Sequence, residues 1–245
     1  MGRLDGLAAA PSEALNTRTA HMPLSDQQID RYSRQIILPE VGARGQQRLL
    51  AAACRVIGDG PLAATAARYL AGAGIGDLTL VGGTAHELAG ELARLNPDVH
   101  LSSHASVAHY LSMRIDAPDS GRRRGAQLLA ADVSPSDLDA LVSGRGASRL
   151  IAAATTPRGG WLHVMDASGG CAACAARGAA APGGSAAVAP PISAAVIGAT
   201  AALDMLKHAL GIGALGCDVW LSFNADRMLL EPRPLTTAAD CARCG

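Results

Sequence analysis

Hydrophobic and polar positions follow two different periods along this chain, and each period predicts its own kind of element. Apolar residues spaced three and four apart indicate amphipathic helices, whereas short apolar runs are typical of buried strands. The first helix opens at Ser25, where residues 25–28 form a capping-box pattern. Further helices are predicted at 42–52, 64–73, 85–95, 136–142 and 192–210. Strands are predicted at 54–57, 77–81, 99–102, 127–131 and 149–154, with an antiparallel strand at 161–165 and a hairpin of 219–223 with 227–232.

A glycine-rich turn joins the first predicted strand to the helix that follows it. Gly58, Asp59, Gly60 and Ala63 form a G-x-G-x-x-A pattern inside a β-α-β unit. Such a turn places a phosphate at the N-terminus of the helix, so Gly58, Asp59 and Gly60 are candidate nucleotide-binding residues. Pro61 removes one N–H donor from this turn, and no acidic residue follows the second strand to hold a ribose. A turn that packs strand against helix and binds nothing stays open as the alternative.

The remaining segments complete the predicted organisation. Residues 1–24 lack periodicity and are predicted to be a disordered leader, while residues 25–245 form one domain. Residues 103–125 are polar and predicted to be irregular, and residues 178–191 form an Ala/Gly/Pro-rich crossover loop. Since strands and helices alternate elsewhere, we expect an α/β fold with a Rossmann-like, mostly parallel sheet flanked by helices.

Four of the six cysteines form two CxxC pairs, Cys171 with Cys174 and Cys241 with Cys244. Two thiolates on one short turn can bind one metal ion, and a second such turn completes a tetrahedral set. We predict a structural zinc site that clips the C-terminal region onto the loop around Cys171. Four thiolates leave no open position for catalysis. A redox-active CxxC is the weaker alternative, because it normally opens a helix after a strand and needs no second pair.

Composition narrows the possible functions. The 245 residues contain 21 Lys+Arg and 21 Asp+Glu, so the net charge is zero and no basic surface for nucleic acid is expected. The sequence contains no uncharged apolar stretch of about 18 residues, so no membrane helix is predicted. It also shows no signal-peptide pattern, so we expect a cytoplasmic protein. Aromatic residues make up only 2% of the chain. Trp161, Trp220 and Cys54 are predicted to be packing residues, and His163 is predicted to be a surface or packing residue rather than a ligand.

Several blocks of the sequence resemble a known family. The run RYSRQIIL at 31–38 looks like the opening signature of the MoeB/ThiF/HesA family, the prokaryotic relatives of ubiquitin-activating enzymes. Residues 69–81 are similar to that family's next block, and LNPDV at 95–99 matches the start of its third strand. The helix around 194–199 and both CxxC pairs fall in the expected order. The resemblance covers nearly the whole of residues 25–245.

The resemblance implies a function and a set of binding residues. Members of the family use Mg-ATP to adenylate the C-terminal Gly-Gly of a ubiquitin-like or sulfur-carrier protein. ATP and Mg²⁺ are therefore implied cofactors, and a Gly-Gly-tailed carrier or an active paralogue is the implied partner. Arg34 matches an arginine that reaches across a dimer to the neighbour's ATP, so a homodimer is expected. Gly58 and Gly60 match the first two glycines of the phosphate loop.

The sequence departs from the family where the chemistry lies. The family's D-x-D after the second strand is replaced by Gly82 and Gly83, and the basic stretch that follows is shortened, with His86 near its remnant. The magnesium-binding D-x-x-D-N keeps Asp132 but loses its second acid, since Pro135 stands at that position and Asp137 comes later. Each lost contact is worth about 2–4 kcal/mol in the transition state. No catalytic residue is assigned, and we predict a noncatalytic or weakly catalytic member, a pseudoenzyme that acts as a dimerisation or carrier-binding partner.

Two further functions stay open. The first is an active adenylyltransferase, in sulfur transfer or in cofactor or natural-product biosynthesis, that uses Arg34, Asp59, His86 or Asp137 in new roles. The second is a nicotinamide-dependent oxidoreductase built on the same β-α-β turn. The second is unfavourable because the ribose acid and a Tyr-Lys or His-Asp constellation are missing.

Overall fold

The computed structural model describes residues 23–114, 127–144, 148–166, 169–171, 173–174, 190–217, 219–236 and 239–241. Their helices are α1 (Asp26–Ile36), α2 (Gly42–Ala51), α3 (Gly60–Ala73), α4 (Ala85–Leu95), α5 (Val107–Arg114), α6 (Pro135–Gly144) and α7 (Pro190–Leu210). Their strands are β1 (Ala53–Ile57), β2 (Asp77–Val81), β3 (His100–His104), β4 (Gln127–Ala131), β5 (Leu150–Thr156), β6 (Gly159–Met165), β7 (Val219–Asn224) and β8 (Leu229–Pro234).

The eight strands form one sheet in the order β3-β2-β1-β4-β5-β6-β7-β8. Pairs from β3 to β5 are parallel, and pairs from β5 to β8 are antiparallel. The chain passes from β1 to β2 on one side and later returns to β4 on the other, so strand order reverses between β1 and β4. Ligands of open α/β sheets bind at such a switch point, beyond the carboxyl ends of the strands. The predicted α/β fold with a mostly parallel sheet is confirmed.

Side chains alternate between the two faces of the sheet and feed two separate cores. In β4, Leu129 and Ala131 belong to one buried cluster, and Leu128 and Ala130 belong to the other. The first cluster lies beneath α3 and α7, which pack side by side. The second lies beneath α5 and α6. Helices therefore flank the sheet on both faces, as the sequence predicts.

Small residues allow the helices to pack closely in a chain with so few aromatics. A Cβ added at Gly198 of α7 would lie 2.5 Å from the Leu62 carbonyl oxygen of α3, so no larger residue fits there without moving a helix. Trp161 and Trp220 are buried in the second core, which confirms them as packing residues. Cys54 is buried as predicted, and its burial raises the pKa of the thiol to about 12.

Two predictions needed correction. Residues 103–125 are not all irregular, because 107–114 form α5, whose Tyr110 is buried in the second core. The helix predicted at 64–73 begins at Gly60, because Pro61 suits the first helical turn. The leader prediction for 1–24 and the crossover-loop prediction for 178–191 fall almost entirely outside the described residues. Within the described part of the chain, no helix has the length and apolar character needed to span a bilayer.

Candidate nucleotide crevice and cysteine cluster

The opening signature and the LNPDV block meet in one hydrogen-bonded clamp. Tyr32 of α1 is buried, and its hydroxyl donates to Asp98 Oδ2 at 3.0 Å. The Asn96 side-chain amide donates to the Tyr32 hydroxyl at 2.9 Å and to the Ala71 carbonyl at 2.7 Å. Arg31 forms an ion pair with Asp98. These contacts hold α1 against the end of α3 and the start of β3.

Arg34 lies on the same helix, away from the glycine turn of its own chain. The Tyr32 ring packs against Gly74, the C-cap of α3, where an added Cβ would lie 2.6 Å from the ring. The 14 residues of α3 span about 21 Å between Gly74 and the glycine turn. Arg34 is exposed in the last turn of α1 and has no ion-pair partner within the described part of the chain. Its proposed role on a neighbour's nucleotide stays a prediction.

The glycine turn lies at the carboxyl end of β1, beside the switch point. Gly58 has φ +126°, and a Cβ there would lie 1.9 Å from the Ala131 carbonyl oxygen at the end of β4. This glycine is therefore required for packing between the two strands, whether or not a phosphate binds. Gly60 has φ +83° and no atom within 4 Å of an added Cβ. The N-terminus of α3 is thus open on that side.

The Asp59 carboxylate binds the N-terminus of α4 rather than its own helix. The Gly83 N–H donates to Oδ2 at 3.1 Å, and the Thr84 N–H and hydroxyl donate to Oδ1 at 3.1 and 3.2 Å. Gly82 is required for this approach, since a Cβ there would lie 2.6 Å from Asp59 Oδ1. Partial burial acts to raise the Asp59 pKa, but the hydrogen bonds from Thr84 and Gly83 outweigh it and hold the pKa below its ordinary value.

The two acids near the expected magnesium-binding motif also accept hydrogen bonds from other residues of the chain. Asp132 directly follows β4 in a left-handed conformation, φ +51°, and its Oδ1 accepts hydrogen bonds from the Thr155 N–H at 2.6 Å and the Thr155 hydroxyl at 3.0 Å. Asp137 accepts a hydrogen bond from the Ser134 hydroxyl at 2.7 Å. His86 is exposed, with Nδ1 3.5 Å from the hydroxyl of a β3 serine. Among the described residues, no set of carboxylates lies close enough together to bind a metal ion.

Three of the four predicted zinc ligands form a compact cluster. The Sγ atoms of Cys171, Cys174 and Cys241 all lie within 4.8 Å of one another, and the three residues are buried. The Cys171 and Cys241 Sγ atoms are 3.8 Å apart, which is about the separation of two thiolates bound tetrahedrally to zinc at about 2.3 Å. The cluster therefore suits a metal ion. Cys244, the fourth predicted ligand, lies outside the described residues.

His163 of β6 is a functional candidate that sequence patterns do not distinguish from a packing residue. It is fully buried, which agrees with the packing alternative and not with the surface one, and burial lowers its pKa, against a smaller opposing effect of its hydrogen bond to the Val219 carbonyl. Its Nε2 accepts a hydrogen bond from the Cys171 N–H at 3.0 Å. This contact could not be predicted from the sequence, because no motif links His163 to Cys171.

Parts of this chain are similar to known proteins. The model of the ThiF family matches residues 32–83, which include Tyr32 and the glycine turn. The adenylyltransferase and sulfurtransferase uba4 of Pyricularia oryzae is 33% identical over 138 residues, which cover 53% of this chain and 26% of that protein. The adenylyltransferase and sulfurtransferase MOCS3 of Drosophila grimshawi is 41% identical over 109 residues, covering 36% of this chain and 24% of that protein. The chain thus spans about a quarter of the length of these relatives.

Solved structures match over most of the fold. E. coli MccB with ATP superposes with a TM-score of 0.68 at 17% identity, covering 88% of this chain and 73% of that one. E. coli MccB with MccA-N7isoASN gives a TM-score of 0.67 at 17% identity, covering 88% and 75%. At this identity the likeness establishes the fold. The chain therefore has the fold of MccB, and over residues 32–83, which include the Tyr32 clamp and the glycine turn, it is similar to the ThiF family.

Proposed function

We propose that this chain is a noncatalytic or weakly catalytic relative of the adenylyltransferases that activate the C-terminal Gly-Gly of a ubiquitin-like or sulfur-carrier protein. In this role it acts as a dimerisation partner of an active paralogue or as a binder of such a carrier. One observation carries the proposal. The acids that follow β1 and β4, namely Asp59, Asp132 and Asp137, are each hydrogen-bonded within the chain.

Asp59 opposes nucleotide binding in two ways. Its carboxylate lies beside the N-terminus of α3, where it would repel the phosphates of a nucleotide unless a cation intervened. It also accepts the N–H groups of Gly83 and Thr84, so these donors at the start of α4 are already satisfied. The residues after β2 supply no acid for a ribose, since Gly82 and Gly83 stand there. Together these features weaken ATP binding at the switch point.

The metal side of the site is weakened in the same way. Mg²⁺ is bound through carboxylate and phosphate oxygens, and Asp132 has one of its two oxygens committed to Thr155. Asp137 is held by Ser134 at the start of α6. Each transition-state contact of this kind is worth about 2–4 kcal/mol. The loss of several therefore reduces adenylation to a trace.

The parts that the chain retains support a binding role. The Tyr32 clamp and both cores preserve the fold, and Arg34 is exposed, as a homodimer in which this arginine contacts the neighbouring copy would require. A zinc ion held by Cys171, Cys174, Cys241 and Cys244 would be structural, tying the C-terminus to the turn after β6. Its four thiolates would leave no position for substrate.

Calorimetric titration with Mg-ATP and an ATP–pyrophosphate exchange assay test the proposal on purified, zinc-loaded protein. We expect no binding at millimolar ATP and no exchange. Arg34→Ala and Arg44→Ala are matched variants, because both arginines are exposed and only Arg34 corresponds to the family's nucleotide-binding arginine. Micromolar binding that Arg34→Ala weakens and Arg44→Ala leaves unchanged would overturn the proposal, as would exchange above a trace by the wild-type protein.

An active adenylyltransferase is the second candidate, and the open N-terminus of α3 favours it. No atom lies within 4 Å of a Cβ added at Gly60, and Pro61 is exposed, so a phosphate could approach this end of the helix. The same two assays separate the candidates. Exchange that requires Arg34 would assign activity to this chain, whereas its absence would direct the search to protein partners.

A further inference from the structure

We propose that His163 is a positioning residue for the cysteine cluster: its ring holds the Cys171 backbone so that the thiol faces Cys174 and Cys241. The inference rests on the proposed zinc site, because it concerns how that site is shaped. His163 is not offered as a ligand, since the contacts of its two ring nitrogens leave neither of them free. Its role is to act through Cys171.

The two contacts of the ring define its protonation state. Nδ1 lies 3.0 Å from the Val219 carbonyl oxygen, and Nε2 lies 3.0 Å from the Cys171 backbone nitrogen. A carbonyl oxygen can only accept, and a backbone N–H can only donate. The ring is therefore neutral, with its proton on Nδ1 and its lone pair on Nε2. Both nitrogens are satisfied inside a fully buried side chain.

Gly170, which directly precedes Cys171, packs against the His163 ring. Asp166 and Gly169 pair in an isolated antiparallel bridge just after β6. Gly170 follows with φ +97°, and a Cβ there would lie 2.5 Å from the Val164 carbonyl oxygen and 3.0 Å from His163 Nε2. Such a close approach is possible only for glycine. The path into Cys171 is thus determined by the surface that His163 and Val164 present.

This arrangement connects β7 to the cysteine cluster. On one side the ring donates to the strand that begins at Val219, and on the other it accepts from the residue that carries the first thiol. Without an acceptor at Nε2, the N–H of the buried Cys171 would lose this hydrogen bond, and the turn could shift to satisfy it. Zinc requires thiolates at fixed separations, so a shift of this turn weakens metal binding. Groups that orient metal ligands in this way affect affinity about 10- to 100-fold.

Two substitutions of similar size distinguish the acceptor role of His163 Nε2 from the donor role of Nδ1. His163→Gln can place an amide oxygen near the position of Nε2, which keeps an acceptor for the Cys171 N–H. His163→Asn can place an amide nitrogen near the position of Nδ1, which keeps the donor to Val219 and loses that acceptor. Leu129→Ala, in the buried part of β4, serves as a control for general loss of stability. Zinc affinity is measured by competition with a chromophoric chelator, and the Co²⁺-substituted proteins are compared by their absorption spectra.

We expect His163→Asn to weaken zinc binding about 10- to 100-fold and to alter the cobalt spectrum. His163→Gln should stay within about threefold of the wild type, and Leu129→Ala should leave the spectrum unchanged. Equal zinc affinities for His163→Asn and His163→Gln, whether wild-type or reduced, would overturn the positioning role. A wild-type protein that binds no zinc would overturn both this inference and the zinc site. The noncatalytic proposal is judged separately by the ATP measurements.

Discussion

Asp204→Asn tests a buried ion pair that joins α7 to the sheet. Asp204 of α7 pairs with Arg149, just before β5, at 2.5 Å, and the two side chains are 8% and 5% exposed. The Arg149 guanidinium also donates to the Leu215 carbonyl at 3.0 Å and to Gln127 Oε1 at 3.4 Å. The Leu215 N–H donates to Asp204 Oδ1 at 2.6 Å. The pair therefore connects the amino end of the sheet, α7 and the segment that leads to β7.

The expected loss follows from what the substitution removes. Asparagine keeps the size of the side chain and an acceptor for the Leu215 N–H, but it removes the charge and places an amide nitrogen, a donor, against the Arg149 guanidinium. Removing one partner leaves Arg149 as a buried, uncompensated cation, which destabilises a protein by about 3–5 kcal/mol. In a chain of this length, each kcal/mol lowers the melting temperature by about 2–4 °C, so we expect a decrease of about 6–20 °C. Asp204→Ala should lose about 1–3 kcal/mol more, because Leu215 then lacks its acceptor.

Urea unfolding with saturating zinc measures this loss, since bound metal contributes to stability in every variant. The control is Glu91→Gln. Glu91 accepts two hydrogen bonds from Arg68, at 2.7 and 2.8 Å, but both side chains are nearly half exposed. Exposed pairs of this kind contribute about 0–1 kcal/mol. An Asp204→Asn loss no larger than that of Glu91→Gln would refute the reasoning, because burial would then make no difference.

Two further predictions concern the glycine turn. Gly58→Ala places a methyl group against the Ala131 carbonyl oxygen and should lower the unfolding free energy in urea by about 2–5 kcal/mol. Gly60→Ala meets open space and should lose about 1–2 kcal/mol from backbone strain alone, so equal losses would contradict the packing role of Gly58. Because hydrogen bonds hold the Asp59 pKa below its ordinary value of 3.8, the stabilisation by this carboxylate is complete above that value and is lost as the pH falls through the lower, folded-state pKa. We expect Asp59→Asn to be less stable than wild type by about 0.3–1 kcal/mol at neutral pH, and a difference that persists unchanged in acid would count against the contact with α4.

Elements that depend on local pattern could be predicted from the sequence. Residues 77–81 form β2 with the predicted bounds, because a short apolar run between Gly76 and Gly82 has few alternatives. α5 could not be predicted in this way. Its residues carry no clear apolar stripe, and the helix is stabilised by Tyr110, which packs in a core assembled from distant strands. Tertiary packing of this kind decides the structure of weakly patterned segments.

Some features of the candidate site could likewise be predicted from the sequence, and others could not. The positions of Gly58, Gly60 and the cysteine pairs follow from motifs whose spacing is visible in the chain. The partner of Asp59 does not, because this contact joins two turns that become neighbours only when β1 pairs with β2. The role of His163 depends likewise on strand pairing, since β6 must lie beside β7 before the ring can bridge Val219 and Cys171.

Under the proposed function, the internal contacts of the acids account for a fold that persists while the chemistry declines. A functional site keeps polar groups ready for a ligand rather than for one another, which lowers stability, so satisfying them internally favours the fold at the expense of activity. Here the Asp59 carboxylate gives the start of α4 a negative partner, an arrangement that a helix N-terminus favours. Asp132 likewise ties the end of β4 to β5 through Thr155. Both contacts stabilise the carboxyl ends of β1 and β4, where the proposed function places the weakened nucleotide site, so the same carboxylates that no longer serve a ligand would there contribute to structural stability.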